Sequence, residues 1–433
     1  MSQSDHRVLI VGNGGREHAL AVKIAASPRV VHVYVAPGNA GTALMDGVTN
    51  LALEPTDIQG LRDFATDNAI SLTVIGPEAP LAEGIVDAFE QAGLACFGPG
   101  RAAAQLEASK AFSKDFLARH AIPTADYEVF TDYARAEAFI REMGAPIVVK
   151  ADGLAAGKGV FLAATVDEAL AAARDMLEDN AFGESGARIV VERFLEGEEA
   201  SFIALVDGTH VLPLASSQDH KAAYDGDTGP NTGGMGAYSP APVMTDAVFA
   251  RVMTDIIEPT VAGMAADGCA FTGFLYAGLM IDDEGAARVL EFNVRLGDPE
   301  TQPILMRLKS DLVDLIEAAL AGRLDQARAQ WHAQAALGVV MAAGGYPGAY
   351  DKDDIITGLE DAAAEGTQVF HAGTRLADDG SVRTSGGRVL CVCALGDDVA
   401  QAQARAYAGV DRIRWRDAMY RRDIGYRAIN RGH

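Results

Sequence analysis

The sequence predicts an α/β protein of two or three domains. Its 433 residues exceed what one ordinary hydrophobic core holds. In the first hundred residues, short apolar stretches that end in Gly or Pro alternate with helical patterns, which is the pattern of a parallel sheet with crossover helices. The composition, with 49% hydrophobic and 22% charged residues, is that of a globular chain without disordered or fibrous character.

The N-terminal strands are predicted at 7–12, 30–38, 71–80 and 94–100, with helical patterns such as "EHALAVKIAAS" between them. Ligands of parallel sheets bind at the carboxyl ends of the strands, where these glycine-rich turns fall. We therefore expect the first domain, residues 1–106, to present its turns to a ligand.

The rest of the chain is predicted to form two more domains. A helix at about 101–120 precedes a small α/β unit, and a hairpin that turns on Asp207-Gly208 follows that unit. A polar, Gly-rich loop then spans 218–242. The predicted boundaries are 107–329 for the central domain, with a lid subdomain at about 125–196, and 330–433 for a small mixed α/β domain.

Charge and cysteine content exclude several classes of function. A net charge of −24 argues against nucleic-acid binding and against an anionic membrane surface. The cysteines have neither metal-ligand nor disulfide spacing, and we expect buried thiols: Cys96, Cys269, Cys391 and Cys393. No signal peptide and no apolar stretch of the roughly 18 residues that span a bilayer is present, which favours a cytoplasmic protein. No obvious pairing segment stands out, so we expect a monomer.

The first turn, "GNGGREHAL", partly matches the dinucleotide-binding fingerprint. Gly12 and Gly14 fit, but Glu17 stands where the third glycine packs helix against strand. The second strand also lacks the acidic residue that would bind an adenosine ribose, so a nicotinamide enzyme is disfavoured. Free N–H groups at the start of the helix suit an anion such as a phosphate. The alternative is a tight turn without a ligand.

The stretch "PIVVKADGLAAGKGVFL" (146–162) resembles a P-loop but departs from it. Gly153 and Gly157 bracket three residues, and Lys158 is followed by Gly159 rather than by a hydroxyl that could hold Mg²⁺. The pattern does suit a flexible hairpin over phosphates, with Lys150 fixed at the end of a strand.

Lysine is scarce in this chain, since only eight of its 36 basic residues are lysines. Half of the lysines fall in the segments that other features single out as sites: Lys110, Lys150, Lys158 and Lys221. Arginine replaces a compact ammonium poorly, so this clustering supports the same sites.

The strand "VLEFNVR" (289–295) indicates a metal site. Strand alternation predicts two faces, with Leu290, Phe292 and Val294 in a core and Glu291, Asn293 and Arg295 on the other side. A carboxylate and an amide oxygen are hard ligands of the kind that hold Mg²⁺ together with substrate phosphates. The arginine could stabilise a phosphoryl group in transfer. The alternative is an amphipathic edge strand with a Glu–Arg pair.

The polar loop begins with a dense group of charges at Asp219, His220, Lys221, Asp225 and Asp227. Long Gly-rich loops inside compact domains are usually functional, and the alternative is a solvated surface loop. Neither a nucleophile elbow nor an activated cysteine is present, so a nucleophilic triad is not supported.

In this order the segments resemble those of the ATP-grasp ligases and, more narrowly, of the glycinamide ribonucleotide synthetase (phosphoribosylamine–glycine ligase) family. The resemblance covers essentially the whole chain, from "GNGGREHAL" and "PGNAGT" through "KADGLAAGKGV", "QDHK" and "GPNTGGMGAYSP" to "RLGDPETQP", "GGYPG" and "GGRVL". It implies a Rossmann-like N-terminal domain, an ATP-grasp core with a lid, and a C-terminal domain.

The resemblance also implies a reaction. ATP and Mg²⁺ or Mn²⁺ would drive the ligation of glycine to 5-phosphoribosylamine, in de novo purine biosynthesis, through glycyl phosphate. The small-molecule substrates would be glycine, 5-phosphoribosylamine and ATP. A sister ATP-grasp enzyme with another acid, or a nucleotide sensor without catalysis, are the alternatives; "GPNTGGMG" and "RLGDPETQP" oppose the first, and intact Glu291, Asn293 and Arg295 oppose the second.

Site residues follow from matching this sequence to the family's motifs. The implied nucleotide contacts are Lys110, Lys150, Gly153, Gly157, Gly159, Glu192, Phe194, Leu195 and Glu199. The implied substrate contacts are Gly14, Gly15, Arg16, Glu17, Asn39, Glu78, Asp219, Lys221, Gly233, Gly234 and Arg295. Glu291 and Asn293 would bind the metal, and Arg295, Lys150 and Asp219 would be catalytic.

Overall fold

The computed structural model describes residues 6–154, 159–179 and 186–432. Its first strands are β1 (His6–Gly12), β2 (Val30–Pro37), β3 (Val48–Asn50), β4 (Leu72–Ile75) and β5 (Cys96–Phe97), and its first helices are α1 (Gly15–Ala25), α2 (Ala40–Ala43), α3 (Ile58–Asp67), α4 (Glu78–Glu83) and α5 (Ile85–Gln91). The five strands form a parallel sheet in the order β3-β2-β1-β4-β5. The predicted parallel sheet with crossover helices is confirmed.

The next elements are α6 (Gln105–Ala108), α7 (Lys110–Arg119), β6 (Tyr127–Phe130), α8 (Tyr133–Met143), β7 (Ile147–Ala151), β8 (Val160–Ala163), α9 (Val166–Leu177) and β9 (Ile189–Arg193). The single helix predicted at 101–120 is wrong, because Ser109 is extended and caps α7 by accepting from Phe112 N. Strands β6, β9, β7 and β8 form an antiparallel sheet whose apolar side chains pack with α8 and α9 in a core of their own.

The middle of the chain contains β10 (Glu198–Asp207), β11 (Val211–Pro213), β12 (Gln218–Asp219), β13 (Ala222–Tyr224), β14 (Thr228–Asn231), β15 (Gly236–Ser239), α10 (Asp246–Val252), α11 (Glu258–Ala266), β16 (Thr272–Ile281) and β17 (Ala287–Asn293). An antiparallel sheet has the order β11-β10-β16-β17, and β10 and β11 form the predicted hairpin. The segment predicted as one long loop instead holds four short strands, because its backbone pairs with a later strand at Ala335–Ala342 and within a hairpin.

The last elements are α12 (Thr301–Arg307), α13 (Leu312–Leu320), β18 (Ala335–Ala342), α14 (Leu359–Ala364), β19 (Gln368–His371), β20 (Thr374–Leu376), β21 (Val382–Thr384), β22 (Arg388–Gly396), α15 (Val399–Val410) and α16 (Tyr426–Ile429). A five-stranded sheet has the order β12-β15-β18-β22-β19. This sheet therefore combines strands from the polar loop with strands from the C-terminal hundred residues.

The N-terminal sheet and the central sheet share one hydrophobic core. Leu9 and Phe89 belong to the same buried cluster as Phe202, Leu275 and Phe292. Cys391 and Cys393 are buried with their sulfur atoms 3.5 Å apart, as expected for two thiols on one face of a strand. Within the described ranges, no helix has both the length and the apolar character required to span a bilayer.

Strand β17 contains a bulge that changes the predicted orientation of one side chain. Gly278 pairs with Glu291 and Leu279 pairs with Val289, so Leu290 is the extra residue. Val289 is fully buried, whereas Leu290 lines a cavity. The prediction that Leu290 faces the core is wrong, because the bulge shifts the alternation by one residue.

Candidate functional site

A cavity of about 310 Å³ lies where the N-terminal, central and C-terminal parts of the chain meet. Many of the sequence-predicted site residues line it: Arg16, Glu78, Lys110, Lys150, Gly159, Asp219, Lys221, Gly233, Glu291, Asn293 and Arg295. Segments far apart in sequence thus converge on one site.

One wall of the cavity carries three lysines: Lys110, Lys114 and Lys150, which we call the lysine wall. Lys150, at the end of β7, forms an ion pair with Glu192 and donates to Leu290 O at 3.1 Å. Lys114 pairs with the other oxygen of the same carboxylate. Burial raises and the two ammonium groups lower the pKa of Glu192, and the net shift is downward. Glu192 therefore stays ionised and holds both lysines in place.

Two lysines of this wall, Lys114 and Lys110, have lowered pKa values. Burial lowers the pKa of Lys114 to about 8, although Glu192 opposes the shift. Burial also lowers the pKa of Lys110, whose ammonium group donates to Gly153 O at 3.1 Å. Cations whose charge is incompletely compensated in a buried place favour an anionic ligand such as a polyphosphate.

The cavity is also lined by three carboxylates, Asp219, Glu291 and Glu300, which we call the carboxylate wall. Lys221 lies among them, paired with Glu199 and 3.5 Å from Glu291 Oε1. Although burial lowers it, the pKa of Lys221 is raised well above its usual range by these carboxylates. Burial and the nearby Glu300 raise the pKa of Asp219.

Glu291 and Asn293 have the character of a cation site. Burial opposes ionisation, but Lys221, Lys150 and Lys110 lower the pKa of Glu291 to about 2, so its carboxylate is ionised. The Asn293 amide lines the cavity beside it. Among the described residues, no group of three or more His, Cys, Asp or Glu side chains could hold a metal alone. One carboxylate and one amide oxygen fit an ion that takes its other ligands from substrate phosphates.

Arg295 lies two residues beyond the end of β17 and lines the same cavity. Its guanidinium is 2.7 Å from Glu107 Oε1 and 3.1 Å from Glu78 Oε2. Arg295 and Arg16 lower the pKa of Glu78 to about 2 against the effect of burial. For Glu107 burial prevails over Arg295 and raises the pKa to about 7. The carboxylates fix Arg295 in one orientation toward the cavity.

Two of the predicted substrate contacts, Glu17 and Asn39, form hydrogen bonds with the backbone of the first glycine turn. Glu17 accepts from Gly14 N at 2.5 Å and from Arg16 Nε at 2.7 Å, and a side chain at Gly12 would clash with it. Asn39 donates to Asn13 O and His371 O, both at 2.9 Å. Arg16 is the member of this group that lines the cavity.

The other predicted residues are not among those that line the cavity: Gly14, Gly15, Gly153, Phe194, Leu195, Glu199 and Gly234. Gly157 lies outside the described residues. The backbone of Gly153 and the carboxylate of Glu199 bind lysines that do line the cavity.

Sequence reasoning missed several polar residues of the cavity: Glu107, Lys114, Tyr276, Asp298, Glu300 and Arg388. Asp298 and Glu300 fall within "RLGDPETQP", so that segment was an available signal. Tyr276 OH donates to Glu300 Oε1 at 3.0 Å and bonds with Ser201 Oγ at 2.9 Å. Arg388 reaches across from β22.

Arg388 joins two turns at the cavity rim. Its guanidinium donates to Gly233 O at 2.5 Å and to Asp298 O at 2.6 Å. A Cβ at Gly233 would lie 3.0 Å from the Arg388 Cζ, so glycine permits this contact. Gly234 has φ +107°, a conformation that favours glycine.

Comparison with known families matches nearly the whole chain. Residues 6–107, 108–301 and 336–427 match the N domain, the ATP-grasp (A) domain and the C domain of phosphoribosylglycinamide synthetase. The phosphoribosylamine–glycine ligase of Escherichia coli O6:H1 is 64% identical over 98% of this chain and 99% of its own length. That of Allochromatium vinosum is 63% identical over 98% of this chain and 99% of its own length.

Solved structures give the same assignment. The crystal structure of phosphoribosylamine–glycine ligase from Thermotoga maritima has a TM-score of 0.83 and 33% identity, over 96% of this chain and 100% of that chain. The biotin carboxylase domain of the Hydrogenobacter thermophilus 2-oxoglutarate carboxylase shares the fold, with a TM-score of 0.71 and 16% identity over 96% of this chain and 91% of that chain. The chain belongs to the phosphoribosylglycinamide synthetase family of ATP-grasp ligases.

Proposed function

We propose that this enzyme ligates glycine to 5-phosphoribosylamine with ATP and releases glycinamide ribonucleotide, ADP and phosphate. The observation that carries the proposal is the identity of 63–64%, over 98% of the chain, to proteins named phosphoribosylamine–glycine ligase. The reaction is a step of de novo purine biosynthesis, and ATP use follows from the ATP-grasp fold.

The lysine wall is proposed to bind the triphosphate. Lys110 and Lys150 neutralise phosphate oxygens, and Glu192, Phe194 and Leu195 lie at the adenine side with Glu199 toward the ribose. Glu192 pairs with both Lys114 and Lys150, so this carboxylate sets the position of both ammonium groups. The Gly-rich hairpin around Gly153, Gly157 and Gly159 is the proposed lid, whose closure excludes water.

Phosphoryl transfer is assigned to the meeting point of the two walls. Glu291 and Asn293 would hold Mg²⁺ or Mn²⁺, which when bound neutralises charge on the phosphates. Arg295 stabilises the phosphoryl group on its way to the glycine carboxylate, and Glu107 and Glu78 keep its guanidinium aimed. The product of this step is glycyl phosphate, whose acyl carbon the amine then attacks.

The substrates are placed by charge. The carboxylate wall, with Asp219 beside Lys221, suits the ammonium and carboxylate groups of glycine, and the Gly233-Gly234 turn borders it. Phosphoribosylamine is assigned to the N-terminal turn, Gly14 to Glu17, with Asn39 and Glu78. We further propose domain boundaries at 106/107 and 329/330 and a cytoplasmic monomer.

Phosphate release from ATP tests the proposal. With Mg²⁺, glycine and freshly made phosphoribosylamine, release is expected only when both substrates are present. Release that ignores phosphoribosylamine, or that another carboxylate triggers equally, would contradict the substrate assignment and leave the ATP-grasp ligase class intact.

A further inference from the structure

The C-terminal segment 421–427 packs on the polar loop that carries Asp219 and Lys221. The Arg421 side chain is fully buried, and its guanidinium makes an ion pair of 2.8 Å with Asp227 of that loop. The same guanidinium grips Asp423 with two bonds of 2.8 Å. A long, buried cation thus connects the end of the chain to the loop.

Backbone groups complete the connection. Arg422 N donates to Asp225 Oδ1 at 2.7 Å, and Gly226 N donates to Asp423 Oδ2 at 2.8 Å. The Arg421 guanidinium also donates to Ala222 O at 3.2 Å. The loop is therefore held on both sides of its 225–227 turn.

Asp227 is the centre of this cluster. Besides Arg421, its carboxylate accepts from Tyr426 OH and from Arg427 Nη2, each at 2.6 Å. Together with His220, these donors keep the pKa of Asp227 far below its usual range, although burial opposes the shift. An ionised carboxylate with several charge-assisted bonds has little freedom to move.

His220 transmits this rigidity to the cavity. It lies between Asp219 and Lys221 in sequence, and its buried ring accepts from Gly425 N at 2.9 Å and has Nδ1 3.7 Å from Asp227 Oδ1. Its backbone is fixed to the other limb of the loop, through His220 N to Gly236 O at 2.9 Å and Met235 N to His220 O at 2.8 Å. The neighbours on either side are therefore placed by a contact with the C-terminal segment.

We propose that Arg421 is a positioning residue for the glycine side of the reaction. It fixes the turn at Asp227 and, through the segment that meets His220, the backbone from which Asp219 and Lys221 reach the cavity. This inference rests on the proposed function, because it assigns glycine to that wall. The lysine wall, to which the triphosphate is assigned, is not among the contacts of the Arg421 side chain, which are Asp227, Asp423 and Ala222 O.

The test compares Arg421→Gln and Arg421→Lys with a matched control, Arg412→Gln. Arg412 belongs to the same C-terminal region but is exposed, and its side chain pairs with Glu365. Arg421→Gln is expected to lower kcat/KM for glycine by about 10- to 100-fold, because small displacements of positioning groups have effects of that order. The KM for ATP should stay within about twofold. Arg421→Lys, which keeps the charge without the fork, should recover part of the loss, and the control should behave as wild type.

Hydrogen exchange supplies a readout that does not depend on catalysis. In Arg421→Gln, the amides of His220, Thr232 and Met235 should exchange faster than in wild type, with the parallel sheet unchanged. Wild type that shows no ligation of glycine would overturn the proposed function, while exchange in the variant still decides whether Arg421 holds the loop.

Three results would overturn the positioning role. One is a folded Arg421→Gln variant with kcat/KM for glycine within twofold of wild type. Another is an equal loss for ATP and glycine, and the third is unchanged exchange in the loop. If Arg421→Gln does not fold, Tyr426→Phe removes one bond to Asp227 and should lower kcat/KM for glycine about threefold at unchanged KM for ATP. An unaffected Tyr426→Phe enzyme would then refute the proposal.

Discussion

The two walls of the cavity solve opposite electrostatic problems. On the lysine wall, one carboxylate, Glu192, is shared by Lys114 and Lys150, so positive charge is left over. On the carboxylate wall, Lys221 serves Glu199 and Glu291, and the pKa of the neighbouring Asp219 rises instead. In a chain with a net charge of −24, three of the eight lysines thus line one wall of one cavity.

This contrast predicts different ligands for the two walls. Uncompensated ammonium groups suit a polyphosphate, whereas crowded carboxylates suit an ammonium group or a divalent cation. Arg295 belongs to neither wall, since its carboxylate partners come from α4 and α6. Substitutions that affect one wall, or the residue between them, can separate these roles.

The largest effect on activity is expected for Arg295, which belongs to neither wall. Arg295→Ala should lower kcat by about 100- to 1000-fold, the range seen when one group that stabilises transition-state charge is removed. Phosphate release at saturating ATP, glycine and phosphoribosylamine measures it, with exposed Arg119→Ala as the control. A variant within threefold of wild type would remove Arg295 from phosphoryl transfer.

The carboxylate wall is tested through its metal dependence. Glu291→Gln keeps the shape but loses the charge, and should raise the Mg²⁺ concentration for half-maximal activity by about 10- to 100-fold. A titration with Mg²⁺ at fixed ATP shows this, beside exposed Glu196→Gln. An unchanged titration would mean that Glu291 is not a ligand.

Substitutions in the lysine wall should instead change the KM for ATP. Lys114→Met removes one of the two cations on Glu192, and the KM for ATP is expected to rise about tenfold through weaker phosphate binding. Exposed Lys309→Met serves as the control. If the KM for glycine rises and that for ATP does not, the proposed division between the walls is wrong.

The smallest effect concerns pH and stability. The pKa of Glu107, raised to about 7, lies above the ordinary value of 4.5, so the folded state keeps a proton that the unfolded state releases. Its contribution to stability is therefore lost as pH rises from about 4.5 through 7. Residue 107 cannot titrate in the Glu107→Gln variant. The free energy of unfolding of this variant should therefore rise relative to that of wild type by about 1–3 kcal/mol between pH 4.5 and pH 8. Thermal unfolding of both proteins at pH 4.5 and pH 8 measures this difference. A relative stability of the variant that increases toward low pH would contradict the prediction.

Local sequence pattern predicted the cavity residues at strand ends and in glycine-rich turns better than those that depend on contacts with distant segments. The order "GNGG", Lys150, Asp219 and Glu291 could be read from the sequence because each lies at a strand end or in a glycine-rich turn. Leu290 was misplaced because a bulge depends on pairing with Gly278, which a single strand does not encode. Glu107 was missed because its role depends on Arg295, 188 positions away in a different element.

The sheet that joins β12 and β15 to β18 also bears on how this chain could be rearranged. A cut near residue 330 would divide one hydrogen-bonded sheet and leave β15 with an open edge beside Asp219. The C-terminal hundred residues therefore cannot be exchanged as a module without rebuilding the loop that carries two site residues. Recombination between relatives should accept crossovers before β10 more readily than crossovers between β15 and β18.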